Sequence, residues 1–386
     1  MKKLTVSLVI LVSLLMVSAA WAEEISPEWA STVKIGGYVD VRPSFYWFTP
    51  DNEMTVGNQT QEDFHYSDVS LYDAGLVVMA QPFDAVHGLV EIRYGEGPID
   101  YRGSNGSLGA YGTETVLVDK AYVQLGSGSS FWVRAGKYYM PFAASEDAVY
   151  GFYYNLLQRY LFANPVALGL GYNHKFAGFG FHVWNGQFDT TNSSGRPDND
   201  IIDTYAASLE FHPLAFQEVH QMDLVFYFLS DAAETWGQFG NQINTQVTAY
   251  SENIFLYGGY LKGDFFLSDL IGLGILGEYA TTGEWDEDQY VDAAGDATAV
   301  SFMNAELALL FWEGVLKFGG KYESISGVDY FGTAGVDYEP TSYARYGGFL
   351  RSNLMEELSL GLEYLMGGNN ESDTDSELQI QTRLDF

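Results

Sequence analysis

Residues 377–386 read ELQIQTRLDF, and the order of side chains in this stretch points to the fold. One parity is apolar except for a threonine and consists of Leu378, Ile380, Thr382, Leu384 and Phe386. The other parity is wholly polar or charged. Because successive side chains of a β-strand point to opposite faces, the stretch predicts a strand with one apolar and one polar face. In a soluble sandwich the polar face would meet bulk water, whereas in an outer-membrane barrel it would line the lumen.

Similar alternating segments recur along the chain, and the connections between them are alternately long and short. We predict sixteen strands, at 33–47, 67–79, 86–94, 115–125, 131–139, 167–174, 179–188, 202–211, 221–228, 253–265, 270–279, 300–311, 315–323, 342–351, 358–364 and 377–386. Every long connection follows an odd-numbered strand, as in outer-membrane barrels with short periplasmic turns and long extracellular loops. The sequence therefore predicts an all-β fold, a transmembrane antiparallel β-barrel of about sixteen strands. Counts of fourteen or eighteen stay open, because 115–125 and 270–279 alternate poorly.

The first 22 residues have the composition of a targeting segment. Lys2 and Lys3 precede an apolar stretch at 4–17, and Ala20-Trp21-Ala22 resembles a cleavage site. This order predicts a secretory signal peptide at 1–22, cleaved near Ala22, because the apolar stretch is short for a retained anchor. We therefore expect one barrel domain at 23–386 in the outer membrane of a Gram-negative bacterium. The chain has no Cys, which excludes a lipoprotein anchor and disulfides.

The net charge is strongly negative and excludes some classes of partner. The formal charge is −33, and cleavage would remove two of 18 bases and none of 51 acids, leaving −35. Nucleic acid is not an expected partner, because phosphate binding needs clusters of Lys and Arg. Much of the negative charge lies in the long connections, at 51–63, 284–288 and 371–377. These residues keep the outer face soluble; alternatively they enrich cations or bind divalent ions together with lipopolysaccharide.

Parity also predicts which side chains line the lumen. Basic and acidic candidates for the pore lining lie on the polar face, at Lys34, Asp40, Arg42, Arg93, Arg134, Lys317, Lys321, Arg345 and Arg383. At sixteen strands the interior is too wide for side chains to fill, so we expect an aqueous channel with a wall of mixed charge. Aromatic residues near strand ends are expected to form interfacial girdles, at Tyr38, Tyr94, Trp132, Tyr260, Trp312 and Tyr364.

The connection at 140–165 differs from the other long connections. It reads MPFAASEDAVYGFYYNLLQRYLFANP and is rich in aromatic and aliphatic residues. A large apolar loop does not stand free in water, so this one either folds into the lumen as a constriction or caps the rim. A short helix is predicted at 147–161. Glu146 and Asp147 are candidate constriction residues, because they would face Lys or Arg on the wall if the loop folds inward.

Three stretches resemble a known family. The run IGGYVDV at 35–41, the run GKYYMPF at 136–142 and the terminal Phe386 resemble outer-membrane porins of the siderophore-porin (LbtU-like) type. The resemblance implies a sixteen-stranded barrel and passive or facilitated uptake of small solutes, ferric siderophores among them. The expected partners are outer-membrane lipid and lipopolysaccharide, small solutes, the barrel-assembly machinery and further copies in a trimer. We expect Phe386 to act as the assembly signal.

Two other functions remain as alternatives. A membrane-embedded enzyme would need a constellation such as Ser with His or Asp with His. The six histidines are His65, His87, His174, His182, His212 and His220. No catalytic constellation, cofactor or metal site can be named from them. The other alternative is a structural or adhesive barrel without an open pore. We therefore expect a porin that is not an enzyme.

Overall fold

The computed structural model describes seventeen parts of the chain. These are residues 32–49, 55–56, 59–60, 64–83, 85–95, 115–126, 130–144, 149–151, 157, 165–184, 204–215, 220–232, 255–283, 299–328, 341–355, 357–369 and 374–386. The predicted signal peptide at 1–22 lies outside them. No helix in these parts is long and apolar enough to cross a membrane.

Eighteen strands are present in these parts of the chain. In order they are β1 (Val33–Thr49), β2 (Thr55–Val56), β3 (Gln59–Thr60), β4 (Phe64–Phe83), β5 (Val86–Gly95), β6 (Thr115–Leu125), β7 (Phe131–Lys137), β8 (Val166–His174), β9 (Ala177–Trp184), β10 (Thr204–Phe211), β11 (His220–Leu229), β12 (Leu256–Ser268), β13 (Ile271–Thr282), β14 (Ser301–Phe311), β15 (Leu316–Val328), β16 (Thr341–Asn353), β17 (Leu358–Asn369) and β18 (Thr374–Asp385). β2 and β3 form a separate hairpin. The other sixteen form one closed antiparallel barrel, which confirms the predicted fold class and strand number.

The barrel closes where its first and last strands meet. β1 pairs with β18, and Gly37 exchanges two backbone hydrogen bonds with Phe386, at 2.8 and 2.9 Å. The Phe386 ring lies against Gly37, because a Cβ added there would be 2.7 Å from the ring. Closure pairs the two edges of the sheet, so the backbone groups of both edge strands have partners.

The two ends of the barrel differ in their connections. Tight turns such as 175–176, 269–270 and 312–315 lie at one end, called here the short-turn end. The strand ends that the long connections join lie at the other end, called here the long-loop end. β7 ends at Lys137, two residues before its predicted end, because the chain leaves the wall there. The poor alternation predicted for 115–125 corresponds to a β-bulge, since the register shifts around Asp119, opposite Glu91 and Ile92.

The two faces of the barrel wall have opposite polarity. Exposed side chains on the strands are mostly apolar and include Leu168, Leu170, Phe179, Phe181, Leu273, Leu307, Leu309, Phe318, Leu360 and Leu362. Charged side chains such as Asp40, Glu278 and Glu323 point inward and are buried. An apolar outer band and a polar interior are typical of barrels that span the outer membrane.

The predicted aromatic girdles are partly wrong. Trp312 and Tyr364 are exposed on the outside, as a girdle requires. Trp132, however, is buried on the lumen side, and the Tyr38 hydroxyl donates toward Asp73 and Glu91 in the interior. Tyr260 packs against the interior apolar clusters. Strand-end position alone does not predict a girdle residue, because parity decides which face the ring occupies.

Candidate functional site

We call residues 138–165, the connection between β7 and β8, the lumen loop, because its described parts at 138–144, 149–151 and 157 lie inside the barrel. The Ala144 N–H donates to Glu278 Oε1 at 2.7 Å, on the inner face of β13. The N–H groups of Tyr150 and Gly151 both donate to Glu306 Oε2 on β14, at 2.7 and 3.1 Å. The sequence left two positions open for this loop, inside the lumen or capping the rim. The described parts of the loop lie inside the lumen.

Two apolar clusters hold the lumen loop against the wall. In the first, loop residues Tyr138, Met140, Phe142 and Leu157 pack with wall residues of several strands, among them Trp184, Tyr227, Leu229, Leu256 and Phe302. In the second, loop residues Ala144, Val149 and Tyr150 pack with Leu276, Ala308, Leu310 and Phe349. The inner wall is therefore apolar where the loop lies on it. This arrangement satisfies the expectation that the apolar loop must be covered.

Tyr150 is the anchor of the second cluster. Its hydroxyl donates to Asp264 Oδ1 at 2.5 Å, and the carbonyl oxygens of Gly263 and Ile275 lie 3.0 and 3.2 Å away. Burial and the bond to Asp264 hold the pKa of Tyr150 well above its usual value, so the phenol keeps the proton that it donates. The ring lies on Gly274, where a Cβ would be 2.5 Å from it. A larger residue at 274 would displace the anchor.

A buried cluster of charges lies beneath the loop. Lys321 Nζ is 3.8 Å from Glu306, 3.1 Å from Glu323 and 3.7 Å from Glu363. Arg345 pairs with Glu323, and both side chains are buried. The loop passes directly over this cluster, because a Cβ at Gly151 would be 2.8 Å from Glu363 Oε2. Two of the predicted lumen cations are therefore held in ion pairs, which buried charges require.

A second set of ion pairs lies farther round the wall, on β1, β4, β5, β6 and β18. Arg42 pairs with Asp40 at 2.8 Å, and Gln381 Nε2 donates to Asp40 Oδ2 at 2.7 Å. Arg93 pairs with Asp73 and also donates to the Tyr139 hydroxyl at 3.3 Å, while Lys120 pairs with Glu91 at 2.7 Å. Tyr139, the second residue of the lumen loop, donates to Asp119 at 2.6 Å. The lumen thus has mixed charge in both parts of the wall.

Arg134 lies in a group of aromatic rings. Its guanidinium is 4.7 Å from the Tyr122 centroid, 5.2 Å from that of Trp132 and 5.1 Å from that of Tyr138. It also donates to Gln124 Oε1 at 2.7 and 3.0 Å. Such an enclosure fixes the cation by cation–π attraction. Parity along β7 predicts that Arg134 faces the lumen, whereas the rings around it are seen only in the structure.

A buried histidine lies beside this group. His182 Nδ1 is 3.1 Å from the Tyr138 hydroxyl, and the two residues join β9 to the start of the lumen loop. Burial raises the pKa of Tyr138 to about 12, so the hydroxyl stays protonated. The sequence by itself assigned no role to His182. Its inward parity on β9 was the signal that could have placed it in the lumen.

Of the remaining predicted site residues, one approaches the lumen loop, two lie apart from it and two lie outside the described parts. Lys34 is exposed near the short-turn end. Arg383 pairs with Asp385 at 3.0 Å and lies 4.4 Å from the Tyr38 ring. The Lys317 Nζ atom lies 5.9 Å from the centroid of the Tyr150 ring. Glu146, Asp147 and most of the helix predicted at 147–161 lie outside the described residues, although Leu157 is helical.

The histidines and acids of the described ranges do not form a metal centre. No group of three or more His, Cys, Asp or Glu side chains in these ranges is arranged to hold a metal ion. His212 pairs with Asp223 at 2.7 Å near the short-turn end. What the described lumen offers chemically is a set of fixed charges and a docked loop. Such features act on solutes by their size and charge.

Comparison with known proteins identifies the fold. No protein-family model and no curated protein match the sequence. Among solved structures, the anion-selective porin from Comamonas acidovorans has a TM-score of 0.53 and 11% identity, over 92% of this chain and 99% of that one. The outer membrane channel DcaP of Acinetobacter baumannii has a TM-score of 0.51 and 13% identity, over 94% and 99%. OmpF of Salmonella typhi has a TM-score of 0.50 and 13% identity, over 92% and 97%. The chain therefore has the sixteen-stranded fold of the outer-membrane porins.

Proposed function

We propose that this protein is an outer-membrane porin through which small hydrophilic solutes diffuse. The observation that carries the proposal is the lumen loop, docked on the inner wall by the backbone bonds to Glu278 and Glu306. A sixteen-stranded barrel without such a loop leaves a wide aqueous channel. A loop fixed inside it narrows the passage and makes solute size a criterion for entry.

The orientation in the membrane follows from the two ends of the barrel. The long-loop end faces outward and the short-turn end faces the periplasm, as in other outer-membrane barrels. In this proposal residues 1–22 are cleaved during export, and Phe386 is the signal read by the barrel-assembly machinery. Outer-membrane lipid surrounds the apolar band, lipopolysaccharide meets the acidic long loops, and the barrel assembles as a trimer.

Ferric siderophores are the more specific solute class that we propose. The support is the resemblance of 35–41, 136–142 and Phe386 to the siderophore-porin type. The protein is proposed not to be an enzyme, because its fold is shared with channels and many of its described lumen charges lie in ion pairs. Uptake of a ferric siderophore into proteoliposomes, compared with uptake of the iron-free siderophore, tests this solute class.

The opposing candidate is a barrel without an open pore. It is favoured by one observation, the complete burial of Lys321 and Glu323, whose side chains are 0% exposed. Single-channel recording in planar bilayers separates the two functions. A porin gives discrete conductance steps and admits small sugars in liposome swelling. A folded protein that inserts into the bilayer without conducting would overturn the proposed function and leave a structural barrel.

A further inference from the structure

Ala143, in the lumen loop, has a backbone conformation that alanine rarely adopts. Its φ is 66°, in the left-handed region, which costs free energy because the Cβ crowds the following carbonyl oxygen. Among the described residues, two others that are not glycine have positive φ, Trp312 and Glu313. Those two lie in the tight turn between β14 and β15, where the favoured two-residue hairpin turns use positive φ. Ala143 lies inside the lumen loop and not in a hairpin, so its conformation needs another reason.

The conformation of Ala143 accompanies a close contact with the barrel wall. The Ala144 N–H donates to Glu278 Oε1 at 2.7 Å. The Tyr227 hydroxyl donates to the same oxygen at 3.1 Å and also forms a hydrogen bond with the Ala143 backbone. Two consecutive loop residues thus bind one Tyr–Glu pair on β11 and β13, and we call these four residues the first anchor. A left-handed residue can turn successive N–H groups to one side, as in the backbone nests that bind anions.

A second anchor lies farther along the lumen loop, at Tyr150 and Gly151. The N–H groups of both residues donate to Glu306 Oε2, and the Tyr150 hydroxyl donates to Asp264. The Tyr150 side chain is 1% exposed and packs in the second apolar cluster. Neither Tyr150 nor Gly151 is among the described residues with positive φ. The second anchor is therefore held without left-handed strain, whereas the first anchor is strained.

This difference affects the free energy of releasing each anchor. Strain at Ala143 raises the free energy of the docked first anchor, and it disappears when the segment leaves the wall and the residue returns to negative φ. Burial opposes the release, because Met140 and Phe142 are 5% and 7% exposed in the first apolar cluster. The strain therefore offsets part of this burial, and it does so at the first anchor only.

We propose that Ala143 is a strained hinge, and that residues 142–144 leave and rejoin the Tyr227–Glu278 pair while the second anchor stays docked. Strained backbone persists only where surrounding contacts hold it, and it is concentrated at functional segments such as switches. The consequence rests on the proposed channel, because a partly released loop widens the passage and gives a second, larger conductance level. The hinge itself depends only on the docked loop.

The test is hydrogen exchange of the Ala144 amide in the folded full-length protein in detergent, measured by mass spectrometry. Ala143→Gly should raise the protection of this amide about fivefold, because the relief of left-handed strain exceeds the chain entropy that glycine adds to a released loop. Ala143→Val should lower the protection, since a β-branched residue is an outlier at positive φ. The Gly151 amide in the second anchor should keep its protection in both variants.

Two further variants serve as controls. Glu313→Gly is the matched control, because it relieves a φ of 57° in a turn outside the lumen loop, and it should leave the protection of the Ala144 amide unchanged. Tyr227→Phe removes the hydroxyl group from the first anchor and should lower that protection. Heat-modifiable gel mobility verifies that each variant is folded, and Ala143→Gly still decides the test if Ala143→Val does not fold.

Two results would overturn the hinge. One is equal protection of the Ala144 amide in the wild type and in folded Ala143→Gly. The other is joint loss of protection at Ala144 and Gly151 in Ala143→Val, because the loop would then release as one unit.

Planar-bilayer recording separates failure of the hinge from failure of the channel. In a conducting barrel, Ala143→Gly should shorten the time spent at the larger conductance level about fivefold, in proportion to the gain in protection. A single conductance level that does not respond to residue 143 would overturn the gating role. Protection that follows residue 143 in a barrel that never conducts would support the hinge and remove the channel.

Discussion

Replacing Tyr150 with alanine is expected to release the lumen loop and widen the channel. Tyr150 is 1% exposed, its ring lies on Gly274, and its hydroxyl donates to Asp264. None of these contacts holds the barrel strands to one another, because the strands pair through their own backbone ladders. The substitution should therefore act on the loop and spare the barrel.

The magnitude follows from the buried surface of the side chain. Truncating a buried aromatic residue to alanine costs about 3–5 kcal/mol, in line with ~25 cal/mol for each Å² of apolar surface. The lost hydroxyl also leaves Asp264 without this donor, which costs roughly 1–3 kcal/mol more. Since 1.4 kcal/mol is a factor of ten, even about 3 kcal/mol shifts the balance between docked and released loop by roughly a hundredfold. Tyr150→Phe loses only the hydroxyl and should have a smaller effect.

The assay is unit conductance in planar bilayers, together with the size limit for sugars in liposome swelling. Tyr150→Ala should raise both, and replacing 145–160 with a short Gly-Ser linker sets the upper limit. Tyr346→Ala is the control, because Tyr346 is on the outer face and 58% exposed. Unchanged conductance and an unchanged sugar limit in a folded Tyr150→Ala barrel would refute the reasoning. The loop would then be a passive lining of the wall and not the constriction.

Three further predictions concern the loop, the closure and the charge. Gly151→Val should displace the lumen loop and raise conductance, because a Cβ at 151 would lie 2.8 Å from Glu363 Oε2. Gly277→Val is the control and should leave conductance unchanged, since a Cβ there meets nothing within 4 Å. Equal conductance in the two variants would contradict the docking geometry. Deleting Phe386 should lower the folded fraction of the protein in outer membranes, because the ring and backbone of Phe386 join the last strand to Gly37. Heat-modifiable gel mobility measures this fraction, and an unchanged fraction would count against an assembly role. Reversal potentials in a salt gradient should show cation preference, because residues 23–386 carry a formal charge of −35 from 16 bases and 51 acids. A preference for anions would mean that lumen cations outweigh the acidic loops.

Much of the barrel could be predicted from the sequence because its determinants are local. Alternation of side chains along a strand depends only on backbone geometry, so parity alone placed Asp40, Arg93 and Lys321 on the inner face. Loop lengths are equally visible in a sequence, and they indicated the barrel and its two unlike ends. Even the irregular segment 115–125 was visible, and it corresponds to the bulge at Asp119.

The position of the lumen loop could be narrowed but not decided. Its apolar composition showed that it must be covered, and both the lumen and the rim would have satisfied that requirement. The structure selects the lumen because the inner wall offers apolar positions such as Leu276 and Phe349, which a simple rule of polar interiors does not predict. The girdle assignment of Trp132 and Tyr260 was wrong for a related reason, because Trp132 is buried on the lumen side next to Arg134 and Tyr260 packs against the interior clusters.

The sequence by itself determined which residues face inward, and the tertiary structure decided which of them meet. Ala144 and Glu278 are 134 positions apart, and Tyr150 and Glu306 are 156 apart. Lys317 and Arg351 face each other only because β15 and β16 pair in one register. A residue's own parity sets its face within a strand, but its neighbours depend on barrel closure, strand register and the path of the loop. Those are long-range properties, and a period-two pattern carries no information about them.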